Sequence, residues 1–164
     1  MTRHRHDLLS EGLMTGILGA VAVAGWFLII DLIQGRPLAT PSVLGQVILY
    51  GRTAPVVTPA EIGPALAYTL LHIGAFVLFG IGVTQLVHLA MSSPLARFGL
   101  MIVAVVFELF FFMLTYMLFA GTLYLFPWWS VLTANTLALL AMGYYLAGRH
   151  RSLGRRFAGQ ALGS

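Results

Sequence analysis

The chain has 164 residues, of which 59% are hydrophobic and only 9% are charged. Soluble domains carry about 25% charged residues, so this composition excludes an ordinary water-soluble protein. The net charge of +4 comes from nine arginines against five acidic residues. Because these arginines flank apolar segments instead of covering one solvated face, the sequence argues against nucleic-acid binding. The chain contains no cysteine, which excludes disulfides, thiolate metal sites and iron–sulfur clusters.

The first apolar segment follows a short basic N-terminus and predicts a transmembrane helix over about residues 9–34. A signal peptide is the alternative, because Ala22-Val23-Ala24 resembles a cleavage site. Apolar residues nevertheless continue without a break through residues 26–30, which favours the transmembrane helix. Gly35, with Pro37 just beyond it, predicts the end of this helix.

The connection after this span contains a segment that is too short to cross a bilayer. Thr40 followed by Pro41 predicts an N-cap with proline at the first helical position, and Gly51 predicts the helix end. The predicted helix covers about residues 41–50, whereas a span needs about 20 residues. We therefore expect an interfacial or re-entrant helix here.

Three further apolar segments complete the architecture. The segment Thr58-Pro59-Ala60-Glu61 has the pattern of a capping box and predicts the start of the second span. Ser93-Pro94 and Pro127 mark the starts of the other two. These spans and the basic tail are predicted at about residues 59–91, 94–120, 127–147 and 148–164. The predicted fold class is an all-α integral membrane protein, with a single domain that forms a four-helix transmembrane bundle and carries the short helix in its first, outer loop.

The distribution of arginines predicts the orientation in the membrane. Seven arginines lie beside the N-terminus, the second connection and the C-terminus, and only two lie on the other side. Both termini are therefore predicted to be cytoplasmic, in a bacterial inner membrane, with the basic tail against anionic lipid. The residues predicted to contact lipid or partner proteins are Arg36, Arg52, Trp128, Trp129, Arg149, Arg151, Arg155 and Arg156.

A stripe of small residues follows one face of the first span. Gly12, Gly16, Ala20 and Ala24 recur at a spacing of four, and such a stripe lets another helix backbone approach closely in a membrane. We expect this stripe to pack within the bundle, and contact with another subunit is the alternative.

Glu108 is a carboxylate near the middle of the third span. A charge at that depth costs roughly 2.5–3.5 kcal/mol unless it is paired or protonated. At about 1.5 Å rise per residue, His72 and Asn135 are predicted within about 6 Å of Glu108 in depth, on the two neighbouring spans. Tyr68 and Thr115 could extend this cluster outward. Its functional interpretation is an ion or proton site, and its structural interpretation is a satisfied polar cluster that fixes helix register.

The histidines give little support for a cofactor. His72 and His88 lie on the same predicted helix and cannot bind one iron, and His72 alone is a weak signal for an axial ligand of a pigment. A haem site built from His88 and His150 remains conceivable. The sequence also contains no Ser-His-Asp arrangement and no glycine-rich phosphate loop, so we predict no catalytic residues, no metal site and no cofactor.

These observations leave three function classes open. The preferred interpretation is a non-catalytic accessory or structural subunit of a larger membrane complex, because the chain has almost no soluble mass and no catalytic set. The first alternative is an oligomeric proton- or ion-coupled transporter or channel that uses Glu108 and His72. The second is a subunit that binds a pigment or haem.

Overall fold

The computed structural model describes residues 3–92, 94–118 and 127–150. Within these ranges the chain is helical and contains no strand. The helices are α1 (Arg3–Ile33), α2 (Ala39–Tyr50), α3 (Ile62–Ser92), α4 (Pro94–Leu118) and α5 (Trp128–Arg149). All of them except α2 are long and apolar enough to cross a membrane. The all-α class and the four potential spans are therefore confirmed, and they indicate a multi-pass membrane protein.

The end of α1 is a hydrogen-bonded turn built on one glycine. Gly35 has a φ of +67°, a left-handed conformation that glycine adopts at little cost. Its N–H donates to the carbonyl of Leu32 at 3.0 Å, and the N–H of Arg36 donates to the carbonyl of Asp31 at 2.9 Å. These two bonds form a Schellman motif, which ends α1 and turns the chain toward α2.

The start of α3 differs from the sequence prediction. The helix begins at Ile62, three residues after the predicted start at Pro59. The capping box does not form, because the N–H of Glu61 donates to Ser42 Oγ at 2.8 Å and its carboxylate pairs with Arg52 at 2.5 Å. Tertiary partners on and after α2 thus replace the local bonds that the sequence pattern suggested.

Helices α1 and α3 cross with their backbones in direct contact. A Cβ atom added at Gly16 would lie 2.5 Å from Val77 Cα and would also meet the carbonyl of Phe76. A Cβ added at Gly80 would meet the backbone of Gly12 and Gly16. Only glycine is small enough at these positions, so the glycines of the stripe fix the separation of the two helices.

The two alanines of the stripe have different environments. Ala20 is only 2% exposed and belongs to the main hydrophobic core. Ala24 is more exposed and lines a cavity between α1, α2 and α3. In the described part of the chain, the face from Gly12 to Ala20 therefore packs inside the bundle.

Helix α4 is attached to the bundle through aromatic side chains and is otherwise peripheral. Phe107 is 3% exposed, and its ring centroid lies 4.5 Å from that of Phe79 on α3 and 4.6 Å from that of Phe111. Most of the remaining surface of α4 is apolar and is exposed on the outside of the bundle. Lipid or another protein must cover this surface in a membrane.

Candidate functional site

The carboxyl group of Glu108 lies between α4 and α5. Thr136 Oγ1 is 3.2 Å from Glu108 Oε1 and 2.9 Å from the carbonyl of Leu132. A hydroxyl has one hydrogen, so Thr136 donates to one of these acceptors at a time. Glu108 Oε2 is closed off from solvent and has no hydrogen-bond partner among the described residues. The carboxyl group of Glu108 is therefore partly closed off from solvent, and only one of its two oxygens has a hydrogen-bond partner.

His72 is joined to α1 and not to Glu108. Its Nε2 lies 3.2 Å from the carbonyl of Ala20, and its ring stacks on Tyr68 with a centroid distance of 5.8 Å. The ring also contacts Phe76 at 4.7 Å. The contact with Ala20 ties α3 to α1 near the middle of both helices, and the two ring contacts lie within α3.

Two small cavities adjoin His72 and Tyr68. The larger, of about 220 Å³, also includes Asp31 and Thr40 in a mostly apolar lining. The smaller, of about 90 Å³, brings Thr115 and Asn135 together with His72 and Tyr68. The Nδ2 atom of Asn135 is buried and has no hydrogen-bond partner in the described ranges, and the Thr115 hydroxyl donates to a carbonyl of its own helix at 2.8 Å.

The predicted cluster is thus divided, because no hydrogen bond joins Glu108 to His72 or Asn135 among the described residues. Four of its five members line the smaller cavity, but Glu108 does not. Its contact on α5 is Thr136, the residue that follows Asn135. Successive residues on a helix point about 100° apart, so depth alone did not determine which of the two faces Glu108.

Asp31 holds the N-terminus of α2. Its carboxylate is 1% exposed and accepts 2.7 Å hydrogen bonds from the backbone N–H and the hydroxyl of Thr40. The predicted N-cap at Thr40 is wrong, since α2 begins at Ala39 and Leu38 occupies the cap position without a side-chain bond. The capping carboxylate comes from α1 instead, where an acidic group next to the first helical N–H groups is favourable.

Gln46 organises the connection between α2 and α3. Its side chain is fully buried, and its amide bonds to both backbone groups of Val56, at 2.8 and 2.9 Å. Its Oε1 also accepts from Arg52 at 2.9 Å. Because Gly45 packs so closely on the carbonyl of Pro64 that a Cβ would clash, α2 is held against α3 on one side and against the connection on the other.

The predicted lipid or partner contacts have varied environments. Arg52 donates hydrogen bonds to Glu61 and Gln46 of the same chain. Arg36 Nε donates to the side-chain oxygen of Gln34 at 2.7 Å. The guanidinium of Arg149 lies 5.8 Å from the ring centre of Tyr145. Trp128 and Trp129 are 66% and 48% exposed, and Arg151, Arg155 and Arg156 lie outside the described residues.

A second cluster of ionisable side chains joins three helices at their ends. Glu11 on α1 contacts His88 on α3 through Oε2, 3.1 Å from Nε2. It contacts His150, directly after α5, through Oε1, 2.7 Å from Nε2. The two imidazole centroids lie 4.8 Å apart, with the rings 79° from parallel.

The sequence patterns did not predict this second cluster as a set, although His88 and His150 are the pair that a haem site would use. The signal was present in the sequence: Glu11 lies near the start of the first span, whereas His88 and His150 lie at the ends of two others. In antiparallel neighbours such positions share one membrane boundary. The depths of the ionisable residues at this boundary therefore indicate that Glu11, His88 and His150 lie at one level of the membrane.

No family model matches this chain, and no curated protein or solved structure is significantly similar to it.

Proposed function

We propose that this chain is a non-catalytic subunit of a larger membrane protein complex. In this proposal it lies in a bacterial cytoplasmic membrane with both termini in the cytoplasm, α2 lies at the outer surface, and the basic C-terminal tail contacts anionic lipid. The arginine asymmetry supports this orientation.

The observation that carries the proposal is the position of Glu108. A transport site needs water or an ion pathway at the ionisable group. Among the residues that the structure describes, Glu108 lines neither of the two cavities beside His72, and its Oε2 is closed off. The carboxyl group lies where α4 and α5 meet and contacts Thr136, an exposed residue on the outer surface of α5. This arrangement favours a group that joins helices over one that exchanges ions.

Three other intramembrane polar side chains also join one element to another. Asp31 fastens α1 to α2, and His72 fastens α3 to α1. The indole N–H of Trp26 on α1 donates to the carbonyl of Ser130 on α5 at 3.0 Å. Polar side chains that join helices fix the register of those helices, which a structural subunit requires. Few polar groups then remain that could take part in chemistry.

The cavities give no comparable support to pigment or haem binding. Their volumes of about 220 and 90 Å³ are below the roughly 300–1,000 Å³ typical of small-molecule sites. His72 Nε2, the atom that would bind an iron or magnesium, is directed to the carbonyl of Ala20.

We place the partner on the outward face of α4. This face is a continuous apolar surface at the depth of Glu108, with Leu109 65% exposed and Met113 64% exposed. Its aromatic and methionine side chains are types enriched at protein interfaces. The occupant we propose is a transmembrane helix of a different subunit.

Site-specific photo-crosslinking in the native membrane tests this placement. A photoreactive residue at Leu109 should form a discrete adduct with a different membrane protein, identified by mass spectrometry. The matched control is Leu78 on α3, which is 73% exposed and should label lipid alone. Lipid labelling at both sites, equal protein adducts at both sites, or adducts only between two copies of this chain would each overturn the proposal.

A further inference from the structure

We propose that Glu11, His88 and His150 form a binding site for a divalent transition-metal ion, with Zn²⁺ as the ion that fits their chemistry best. The site lies at the boundary where α1 begins and α3 and α5 end. It is independent of the partner proposed for α4.

The spacing of the ligand atoms suits a metal ion. One atom from each side chain can be chosen so that all three lie within 4.8 Å of one another. Zinc binds imidazole nitrogen and carboxylate oxygen at about 2.0–2.2 Å in a tetrahedron, which places neighbouring ligands about 3.3 Å apart. The distances from Glu11 to the two histidines, 2.7 and 3.1 Å, are slightly shorter. These two distances go to different oxygens of Glu11, and the 4.8 Å limit on the set is longer than a tetrahedral edge. A zinc ion would therefore need side-chain rotations that bring the two imidazoles closer to one carboxylate oxygen.

The cluster contains more ionisable side chains than a simple ion pair needs. One histidine is sufficient to pair with a carboxylate, yet two rings, one on α3 and one directly after α5, place Nε2 against the two oxygens of Glu11. Two imidazolium ions with centroids 4.8 Å apart would repel each other. Zinc binds the unprotonated Nε2 atom, so each imidazole would carry its hydrogen on Nδ1 when a divalent cation replaces the contacts with Glu11 by coordination bonds.

The ligand set also indicates the class of metal. Imidazole nitrogen suits zinc and its transition-metal neighbours, whereas Mg²⁺ and Ca²⁺ prefer all-oxygen sites. Three protein ligands leave one position of a tetrahedron for water, as in exchangeable zinc sites. The side chains are 10–23% exposed, so an ion can reach the site from the aqueous phase at the membrane boundary.

The protein holds Glu11 in place from the membrane side. The hydroxyl of Thr15, one turn deeper, donates to the carbonyl of Glu11 at 2.7 Å and accepts from Thr84 on α3 at 3.3 Å. Both threonines are fully buried. This chain of bonds fixes the α1–α3 contact directly beneath the carboxylate, so that the ligands from these two helices are preorganised.

The test is zinc binding by the full-length protein in detergent micelles, measured by calorimetry and by thermal unfolding with ZnCl₂, MgCl₂ or EDTA. We expect ZnCl₂ alone to bind and to raise the unfolding temperature in a concentration-dependent way. His88→Gln and His150→Gln should each weaken zinc binding at least tenfold, because even outer-shell changes cost about 10–100-fold. The control His72→Gln should leave the affinity unchanged.

The two N-terminal histidines require a separate control, since His4 and His6 could bind zinc adventitiously. The double variant His4→Ala/His6→Ala should retain wild-type affinity. Loss of binding in this variant, with retention in His88→Gln, would overturn the proposal. Zinc that binds no more tightly than magnesium would reduce the cluster to a structural ion pair and would also overturn it.

A spectroscopic measurement keeps the proposal testable if the ligand variants do not fold. Cobalt(II) bound to the wild-type protein should give the visible absorption of a four-coordinate site. X-ray absorption of the zinc form should show two imidazoles and a carboxylate oxygen in the first coordination shell. A six-coordinate, all-oxygen signal from either measurement would refute the assignment.

Discussion

Replacing Asp31 should release α2 from the bundle without unfolding the rest of the protein. The carboxylate is 1% exposed and accepts two 2.7 Å hydrogen bonds from Thr40. Hydrogen bonds to charged groups contribute about 1.5–3 kcal/mol each. Asp31→Ala removes both and leaves the donors of Thr40 without an acceptor, so we expect a cost of at least about 3 kcal/mol for keeping α2 docked.

The absence of native cysteine makes a labelling assay suitable for this measurement. A cysteine introduced at Val43, which is 2% exposed on α2, reacts with a maleimide only when α2 opens. Because 1.4 kcal/mol is a factor of ten, Asp31→Ala should accelerate labelling about 100-fold. Thr40→Val removes only the hydroxyl bond and should accelerate it about tenfold, a loss of roughly 1.5 kcal/mol.

A second reporter distinguishes local opening from global unfolding. Val87 is 4% exposed in a separate core cluster near the other end of α3, and a cysteine there should label at the same rate in Asp31→Ala as in the parent. The reasoning is refuted if labelling at Val43 does not change. It is also refuted if labelling at Val87 accelerates equally, because the carboxylate would then stabilise the whole protein and not the docking of α2.

Two further changes test the helix contacts. Gly16→Ala should destabilise the protein by about 1–3 kcal/mol in reversible SDS unfolding, because the added methyl meets the α3 backbone. The control Gly25→Ala, which has open space around it, should be neutral or stabilising by up to about 1 kcal/mol, and equal losses in both variants would contradict the crossing geometry. Glu108→Gln should remain folded and monodisperse in detergent, with stability within about 1 kcal/mol of the parent, because the amide retains the oxygen that faces Thr136. Aggregation of this variant would instead show that the negative charge is structurally required.

The sequence by itself determined the class of protein and the positions of its spans. Hydrophobic runs of bilayer length have no stable alternative to helix in lipid, because every backbone group must be bonded internally. The ends of α1 and α2 were also predictable from the local sequence, because each is followed by a glycine. Gly35 and Gly51 both have positive φ, and they lie two residues beyond α1 and one residue beyond α2, since a left-handed residue after a helix favours glycine in any fold.

The tertiary structure alone decided how polar side chains pair. The depth of Glu108 along its helix followed from residue counting, but its contact with Thr136 and not Asn135 depends on the rotation of α5 about its axis. This rotation is set mainly by the packing of α5 against α1. Residue spacing within one helix contains no information about it.

The same reason explains the two polar contacts that sequence patterns misplaced or missed. The pattern at Thr40 predicted a local cap, but the acceptor is supplied by Asp31 from α1. Glu11 and His150 are separated by 139 residues yet lie 2.7 Å apart. The contacts of Glu11 with His88 and His150 require that α1, α3 and α5 pack with these ends together. The geometry on which the proposed metal site rests is therefore a product of the assembled bundle.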